Sequence, residues 1–307
     1  MSTHTPVMIA ERVGYFPGHV NIGFVVGSSG AILVDSGLDT QTAKKIKKGL
    51  DAIAQPLSAI VQTHAHADHF GGNAYLLGCW PAAKVYAPPL EEAIIRYPIL
   101  EPIYLNQGAE PLDDLRNKFL LAQPSRVDHL LPSEGDVEID GVPFTILSLP
   151  GHSWQQVGVV CDDICFAADS YLGEELLEKH KLPFLVDAGQ TLLSIEKLLE
   201  TNYRGYLPGH GVFTTSVSGV LAKNREWHLR IYTAIEDVLQ TEHTLDEALA
   251  QLCERLGITV ETASSYVLFR TAFMGYLVGL YREKRVEYRF AQNRWLWSAT
   301  KPDQEVS

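Results

Sequence analysis

Through the first two-thirds of the chain, short apolar runs alternate with turn signals and with longer stretches of helical period. VNIGFVVGSSGAILVDSG (20–37) predicts a hairpin, with Gly-Ser-Ser-Gly as the turn between two apolar strands. TQTAKKIKKGLDAI (40–53) predicts an exposed helix with a basic face, and LSAIVQT (57–63) a short buried strand. GGNAYLLG (71–78) fits a helix and AKVYAP (83–88) a strand. RVDHLLPSEGDVEIDGVPFTILSLPGH (126–152) reads as further strands, with Asp140-Gly141 as a tight turn. QVGVVCDDICFAAD (156–169) is a second hairpin ending in an acid, AGQTLLSIEKLLET (188–201) a helix, and GYLPGHG (205–211) a strand ending in histidine. Residues 97–125 break this alternation with prolines and aromatics.

Beyond TTSVS (214–218) the pattern becomes helical. NREWHLRIYTAIEDVLQT (224–241) carries an apolar stripe, TLDEALAQLCERLGI (244–258) opens on a threonine cap, and SSYVLFRTAFMGYLVGLYREKRV (264–286) follows. VEYRFAQNRWLWSA (286–299) predicts a closing hairpin. The expected division is a domain over 1–216 and a helical one over 217–307, which suits a length of 307 residues.

Charge sharpens that division. The formal net charge is −12; residues 217–307 hold 11 Lys/Arg against 12 Asp/Glu, and the first 216 the other 14 against 25. The excess acid disfavours non-specific phosphate-backbone binding, and the near-neutral tail makes REKR (282–285) the wet face of a helix. No run approaches the ~20 apolar residues of a membrane span. The start, MSTHTPVMIAERVGYF, lacks a basic n-region and an apolar h-region. The scattered Cys79, Cys161, Cys165 and Cys253 read as free thiols, so the expected location is cytoplasmic.

The strand over 57–63 runs into THAHADHFGG (63–72), three histidines and an aspartate in six positions. Zinc takes imidazole nitrogen and carboxylate oxygen, and His64 and His66 can point the same way from extended backbone. Asp68 and His69 follow around the turn, while Gly71-Gly72 lets the backbone turn tightly into a helix. His152 in PGHSW, Asp169 in FAADS and His210 in PGHG each follow an apolar strand. Any one could be a turn residue or a helix cap; together they form a double ligand set.

The ordered pattern HxHxDH, His, acid, His resembles the metallo-β-lactamase-fold hydrolases over roughly residues 7–212. The resemblance implies an α/β (α+β) fold, an αββα sandwich with metals at one edge between the sheets. It implies His64, His66 and His152 on one ion, Asp68, His69 and His210 on a second, and Asp169 bridging. Two divalent ions are implied, zinc first, with iron or manganese as alternatives, sharing a hydroxide that attacks a carbonyl or phosphoryl centre. Asp68 would hold the attacking water. Asp35 in VDSG matches the acid beneath the metal loop, or is a strand-end turn.

The substrate is less legible. DSYLGEELLEKHKLPFLVDAGQTLLSIEKLL (169–199) resembles N-acyl homoserine lactonases, which nominates Tyr171 as catalytic; the alternative is a packing tyrosine. Glyoxalase II shares THxHxDHxGG, but no glutathione-anchoring pattern follows, and persulfide dioxygenases share part of the motif. Residues 97–125 would form an apolar lid, a contact between two copies of the chain, or surface padding. The expected substrate is an ester, thioester or lactone. The tail resembles a winged helix, as on small ribonucleases of this fold, so the alternative is single-strand RNA cleavage or another phosphoesterase reaction on the same metal site.

Overall fold

The computed structural model describes residues 6–300. Its first half builds a seven-stranded sheet in chain order: β1 (Val7–Met8), β2 (Val13–Phe16), β3 (Ile22–Val26), β4 (Ala31–Val34), β5 (Leu57–Val61), β6 (Lys84–Ala87) and β7 (His129–Leu130). β1 to β4 are antiparallel. From β4 to β7 pairing is parallel, because the chain returns through helices: α1 (Thr40–Ala52), then α2 (Ala67–Phe70) and α3 (Asn73–Cys79), then α4 (Glu91–Arg96) and α5 (Leu100–Leu105).

The second sheet contains β8 (Gly135–Ile139), β9 (Val142–Ser148), β10 (Val157–Cys161), β11 (Ile164–Ala168) and β12 (Gly205–Pro208), in spatial order β12-β11-β10-β9-β8. Two of its hairpins close on two-residue turns with both residues left-handed: Asp140-Gly141 (φ 49° and 73°) and Asp162-Asp163 (φ 49° and 64°). Such turns match the twist of the flanking strands, and aspartate and glycine tolerate them best. The crossover from β11 to the parallel β12 runs through α6 (Glu174–His180) and α7 (Ala188–Leu199).

Strand alternation sorts the core into layers. On β4, Ala31 and Leu33 join Ile46 and Leu50 of α1, while Ile32 and Val34 face Phe144, Ile146, Val159 and Phe166 of the second sheet. On that sheet's outer side Leu147, Val160, Cys165 and Ala167 lie under Ile195 and Leu198 of α7 and Leu221 of α8 (Ser218–Val238). The layers therefore run helix, sheet, sheet, helix, the expected αββα sandwich. Burial of each large apolar side chain contributes about 1.5–3 kcal/mol. Cys161 and Cys165 fall on opposite faces of one sheet, so they cannot share an ion. Burial pushes both thiols up to about 12.

The C-terminal part follows the predicted order. α8 is succeeded by α9 (Leu245–Leu256), α10 (Ala263–Arg282) and the hairpin β14 (Val286–Ala291) and β15 (Arg294–Ala299); a short β13 (His243–Thr244) pairs with β15. Thr244 caps α9 in a reciprocal box, its backbone N–H donating to the Glu247 carboxylate at 2.8 Å. The core of this part also takes in Leu182, Leu185 and Ala188, which ties it to the crossover. The basic stretch near 282–285 is neutralised locally, Arg282 by Asp187 and Arg285 by Glu236 and Glu283. Among the described residues no helix is long and apolar enough to cross a membrane.

Candidate metal centre

Every predicted ligand lies just beyond a strand end, at the edge where the two sheets open. His64 and His66 follow β5, His152 follows β9, Asp169 follows β11 and His210 follows β12. The one-turn α2 carries Asp68 and His69. Gly71 and Gly72 serve close approach rather than turn conformation, since their φ values are −60° and −78°. A Cβ on Gly71 would meet the Leu38 carbonyl oxygen at 1.9 Å, and one on Gly72 that of Ser36 at 2.2 Å.

Asp169 reaches the site through an irregularity in β11. Its pairing with β12 shifts register between Phe166 and Ala168, and Ala168 is left-handed at φ 51°. Without that shift, strand alternation would send residue 169 to the outer face with Cys165 and Ala167. Gly209 completes the close packing: a Cβ there would lie 2.2 Å from Asp169 Oδ1 and 2.8 Å from His69 Cε1.

The seven residues form three overlapping groups whose ligand atoms lie within 4.8 Å of one another: His64, His66 and His152; His64, His69 and Asp169; Asp68, His69 and His210. Outer partners fix most of the ring orientations. His152 Nδ1–H donates to the Phe184 carbonyl (3.1 Å), His69 Nδ1–H to Asp35 (2.8 Å) and His210 Nδ1–H to the His19 carbonyl (2.8 Å). Thr63 Oγ1–H donates to Asp35 (2.8 Å) and so accepts from His64 Nδ1–H (3.0 Å). With Nδ1 so engaged, each of these rings turns Nε2 inward, where His64 and His152 Nε2 stand 3.1 and 2.8 Å from His66 Nδ1.

Two atoms give the clearest test of whether an ion fits. His69 Nε2 and Asp169 Oδ1 are fully buried and have no hydrogen-bond partner. Leaving such atoms unpaired costs about 1–3 kcal/mol each, which a shared cation would remove. Electrostatics agree. Burial presses the imidazoles toward neutrality and prevails at His64, at His152 and at His66, which is pulled down to about 3. At His69 and His210 burial is outweighed by Asp169 and its neighbours; His69 is held well above the usual histidine range and His210 is raised to about 10. The carboxylates thus call for positive charge where the second group of ligands converges.

The residues fit a metal, and the sequence comparison agrees with the geometry. Residues 15–210 match the family model of the metallo-beta-lactamase superfamily. The chain belongs to that superfamily. A Streptococcus pyogenes protein named "Probable metallo-hydrolase" is 28% identical over 215 residues, 67% of this chain and 85% of its own length. The hydroxyacylglutathione hydrolase of Xanthomonas campestris pv. campestris is 29% identical over 174 residues, 56% of this chain and only 54% of that enzyme. A metallo-beta-lactamase family protein from Thermus thermophilus shares the fold at 18% identity and a TM-score of 0.70, over 96% of this chain and 97% of that one. That likeness takes in the C-terminal helices, which lie beyond the residues that the family model matches.

Other residues that brace the site carry no motif and are not legible in the sequence. The buried Glu91 accepts from Ala65 N–H (2.9 Å), Ser153 Oγ (2.7 Å) and Gln155 N–H (2.8 Å), bracing the loops of His66 and His152 against each other. Asn21 donates to the carbonyls of Pro208 (3.0 Å) and Gly211 (2.8 Å), fixing the His210 loop. The Gln156 side chain accepts from the Asp169 N–H at 3.2 Å.

A cavity of about 280 Å³ opens over the ligands. Its apolar lining comes from Leu172, Leu176, Pro183 and Phe184, from Phe119 and Leu120 of the 97–125 insertion and from Leu268 of α10, while His19, His180 and a buried Glu101 add polar groups beside the ligands. The insertion is braced by α10: Leu105, Leu115 and Leu120 pack with Val267, and Ser264 Oγ donates to the Asp114 carbonyl at 2.8 Å.

Tyr171 is the one predicted site residue that the structure sets apart. Its ring lies on the outer face of the second sheet with Leu147, Ile195 and Leu198, and it does not line the cavity. The physical reason is the same irregularity: it turns Asp169 inward and lets the chain swing back outward two residues later. The geometry is that of the packing alternative. Tyr171→Phe should keep kcat/KM within about twofold and leave the melting temperature equal or higher, because its buried hydroxyl has no partner. A steady-state assay beside a thermal melt checks this, and a large loss of kcat would restore the catalytic role.

Proposed function

We propose that the chain is a dinuclear metal-dependent hydrolase of carboxylic esters, thioesters or lactones with apolar acyl groups. The observation that carries this reading is the join of a complete ligand set to an apolar-walled cavity. His64, His66 and His152 would hold one ion, Asp68, His69 and His210 another, and Asp169 would reach both. Zinc suits this set of imidazoles and carboxylates, with iron and manganese as alternatives. When bound, such ions supply Lewis acidity toward a carbonyl oxygen and make water a better nucleophile.

The chain's own residues do the remaining work. Phe119, Leu120, Phe184 and Leu268 take up the apolar acyl part and exclude bulk water from the reacting carbon. Among the described residues the cavity wall offers no serine or cysteine, so the nucleophile is water itself. Its oxygen adds to the carbonyl carbon, the bond to the alcohol or thiol breaks, and acid and leaving group are released. Asp35, Glu91 and Asn21 hold the ligand loops in place. In this reading residues 1–216 carry the reaction, and residues 217–307 support the cavity through α10. The similarity to a hydroxyacylglutathione hydrolase supports the thioester arm. The paired Arg282 and Arg285 leave little free positive charge for RNA on that stretch.

One panel tests the proposal. Protein reconstituted with zinc, iron or manganese is assayed against alkyl thioesters, aryl esters, lactones, phosphodiesters and short single-stranded RNA, with metal content measured in parallel. About two ions per chain and turnover confined to the carbonyl substrates are expected. RNA cleavage without carbonyl turnover would replace this reading by the ribonuclease one.

A further inference from the structure

The C-terminal sheet has the order β13-β15-β14, so β14 is an edge strand with no neighbour on its outer side among the described residues. Its backbone parity follows from two observations. The Thr300 N–H donates to the Arg285 carbonyl at 2.9 Å, which makes 285 and 300 a hydrogen-bonded pair. The hairpin closes at Ala291 opposite Arg294 around Gln292-Asn293, both left-handed at φ 51° and 60°, as a two-residue turn requires. Bonded and unbonded pairs alternate along an antiparallel ladder, so Glu287, Arg289 and Ala291 turn their N–H and C=O toward β15. Val286, Tyr288 and Phe290 turn theirs to the free edge.

The side chains on this edge are unusual for one left bare. Edge strands are commonly kept apart by like charges, proline or a bulge. Here Phe290 is 71% exposed, Tyr288 42% and the cross-strand Trp295 41%, all on one face. The segment Val286-Glu287-Tyr288-Arg289-Phe290 is also complementary to itself about its centre: apolar, acid, tyrosine, base, apolar.

We propose that β14 pairs antiparallel with β14 of a second copy of this chain about a twofold axis at Tyr288. In that register Tyr288 exchanges a pair of N–H···O bonds with the partner's Tyr288, and Val286 does so with the partner's Phe290. These are the residues whose backbone groups face outward. Glu287, which makes no ion pair among the described residues, then stands opposite the partner's Arg289. Arg289 already touches Glu242, yet its side chain is 57% exposed and would be shared between the two carboxylates. The aromatic face becomes continuous across the axis, and the interface is self-complementary as a twofold contact must be.

Sedimentation velocity of the full chain at tens of micromolar is expected to give a dimer. Glu287→Arg sets arginine against arginine at both related positions, and Arg289→Glu sets glutamate against glutamate. Each alone should weaken association about tenfold or more. Mixed one to one, the two variants offer opposite charges in the same register, and a heterodimer should form. A monomeric wild type overturns the proposal. So does a dimer that both single variants retain, or a pair of folded monomeric variants that do not combine. Arg289→Glu faces Glu242, so circular dichroism checks its fold. If it loses structure, Phe290→Pro takes its place, removing an N–H that its own hairpin does not use. Persistence of the dimer in Phe290→Pro also overturns the proposal.

Discussion

Replacing Asp169 with alanine is expected to lower turnover of every substrate by about 10²–10³-fold while the fold persists. No other carboxylate in the cluster is so placed. Its Oδ1 lies 3.4 Å from His69 Nε2, and its Oδ2 lies 3.3 Å from His152 Nε2 and 3.4 Å from His210 Nε2. It is thus the one carboxylate that touches histidines of both proposed ion positions. Metal content should fall from about two ions per chain toward one or fewer, because neither position keeps its full donor set. Elemental analysis, a circular dichroism melt and the substrate panel measure the three quantities separately. Turnover within tenfold of wild type in a folded variant would place the chemistry elsewhere in the cavity.

Asp35 carries the second large effect, through atoms it never shares with substrate. It is buried, left-handed at φ 66°, and accepts from Thr63 N–H, Thr63 Oγ1 and His69 Nδ1, each at 2.8 Å. Asp35→Ala leaves those buried donors unpaired, at about 1–3 kcal/mol each, and puts alanine in a conformation that aspartate tolerates better. A loss of roughly 2–5 kcal/mol follows, with the melting temperature down by about 5–15 °C. Asp35→Asn keeps the backbone conformation and part of the bonding, so it should mainly loosen His69 and weaken metal binding by about 10–100-fold. Calorimetric metal titration of the asparagine variant and a thermal melt of the alanine variant check the two halves. Wild-type values in both would show that Asp35 is only a strand-end turn.

Much of this was legible in residue order because the site lies on a regular scaffold. Alternation on β4 and β11, turn pairs such as Asp140-Gly141 and the cap at Thr244 are local signals, and local structure obeyed them. The histidine-rich loop was legible because imidazole and carboxylate at such spacing serve few other purposes. Glu91, Asn21 and Gln156 were not, since each acts on a backbone group far away in sequence and a lone polar residue has no period. Tyr171 is the opposite case: a family resemblance nominates it, and one shifted residue in β11 that no hydrophobic pattern records places its ring in the outer layer. The sequence suggests turn conformation for the glycines after His69, whereas they matter for the carbonyls of Leu38 and Ser36 packed against them.

The brace between α10 and the 97–125 insertion reaches beyond stability. Leu268 and Leu120 lie more than a hundred positions apart, yet both line the cavity, and in the proposed reading they would set how deep an acyl chain goes. Under that proposal chain-length preference would be written partly in the tail. Exchange of the C-terminal helices between two relatives with identical metal loops would carry that preference along, much as a ruler moves with its scale.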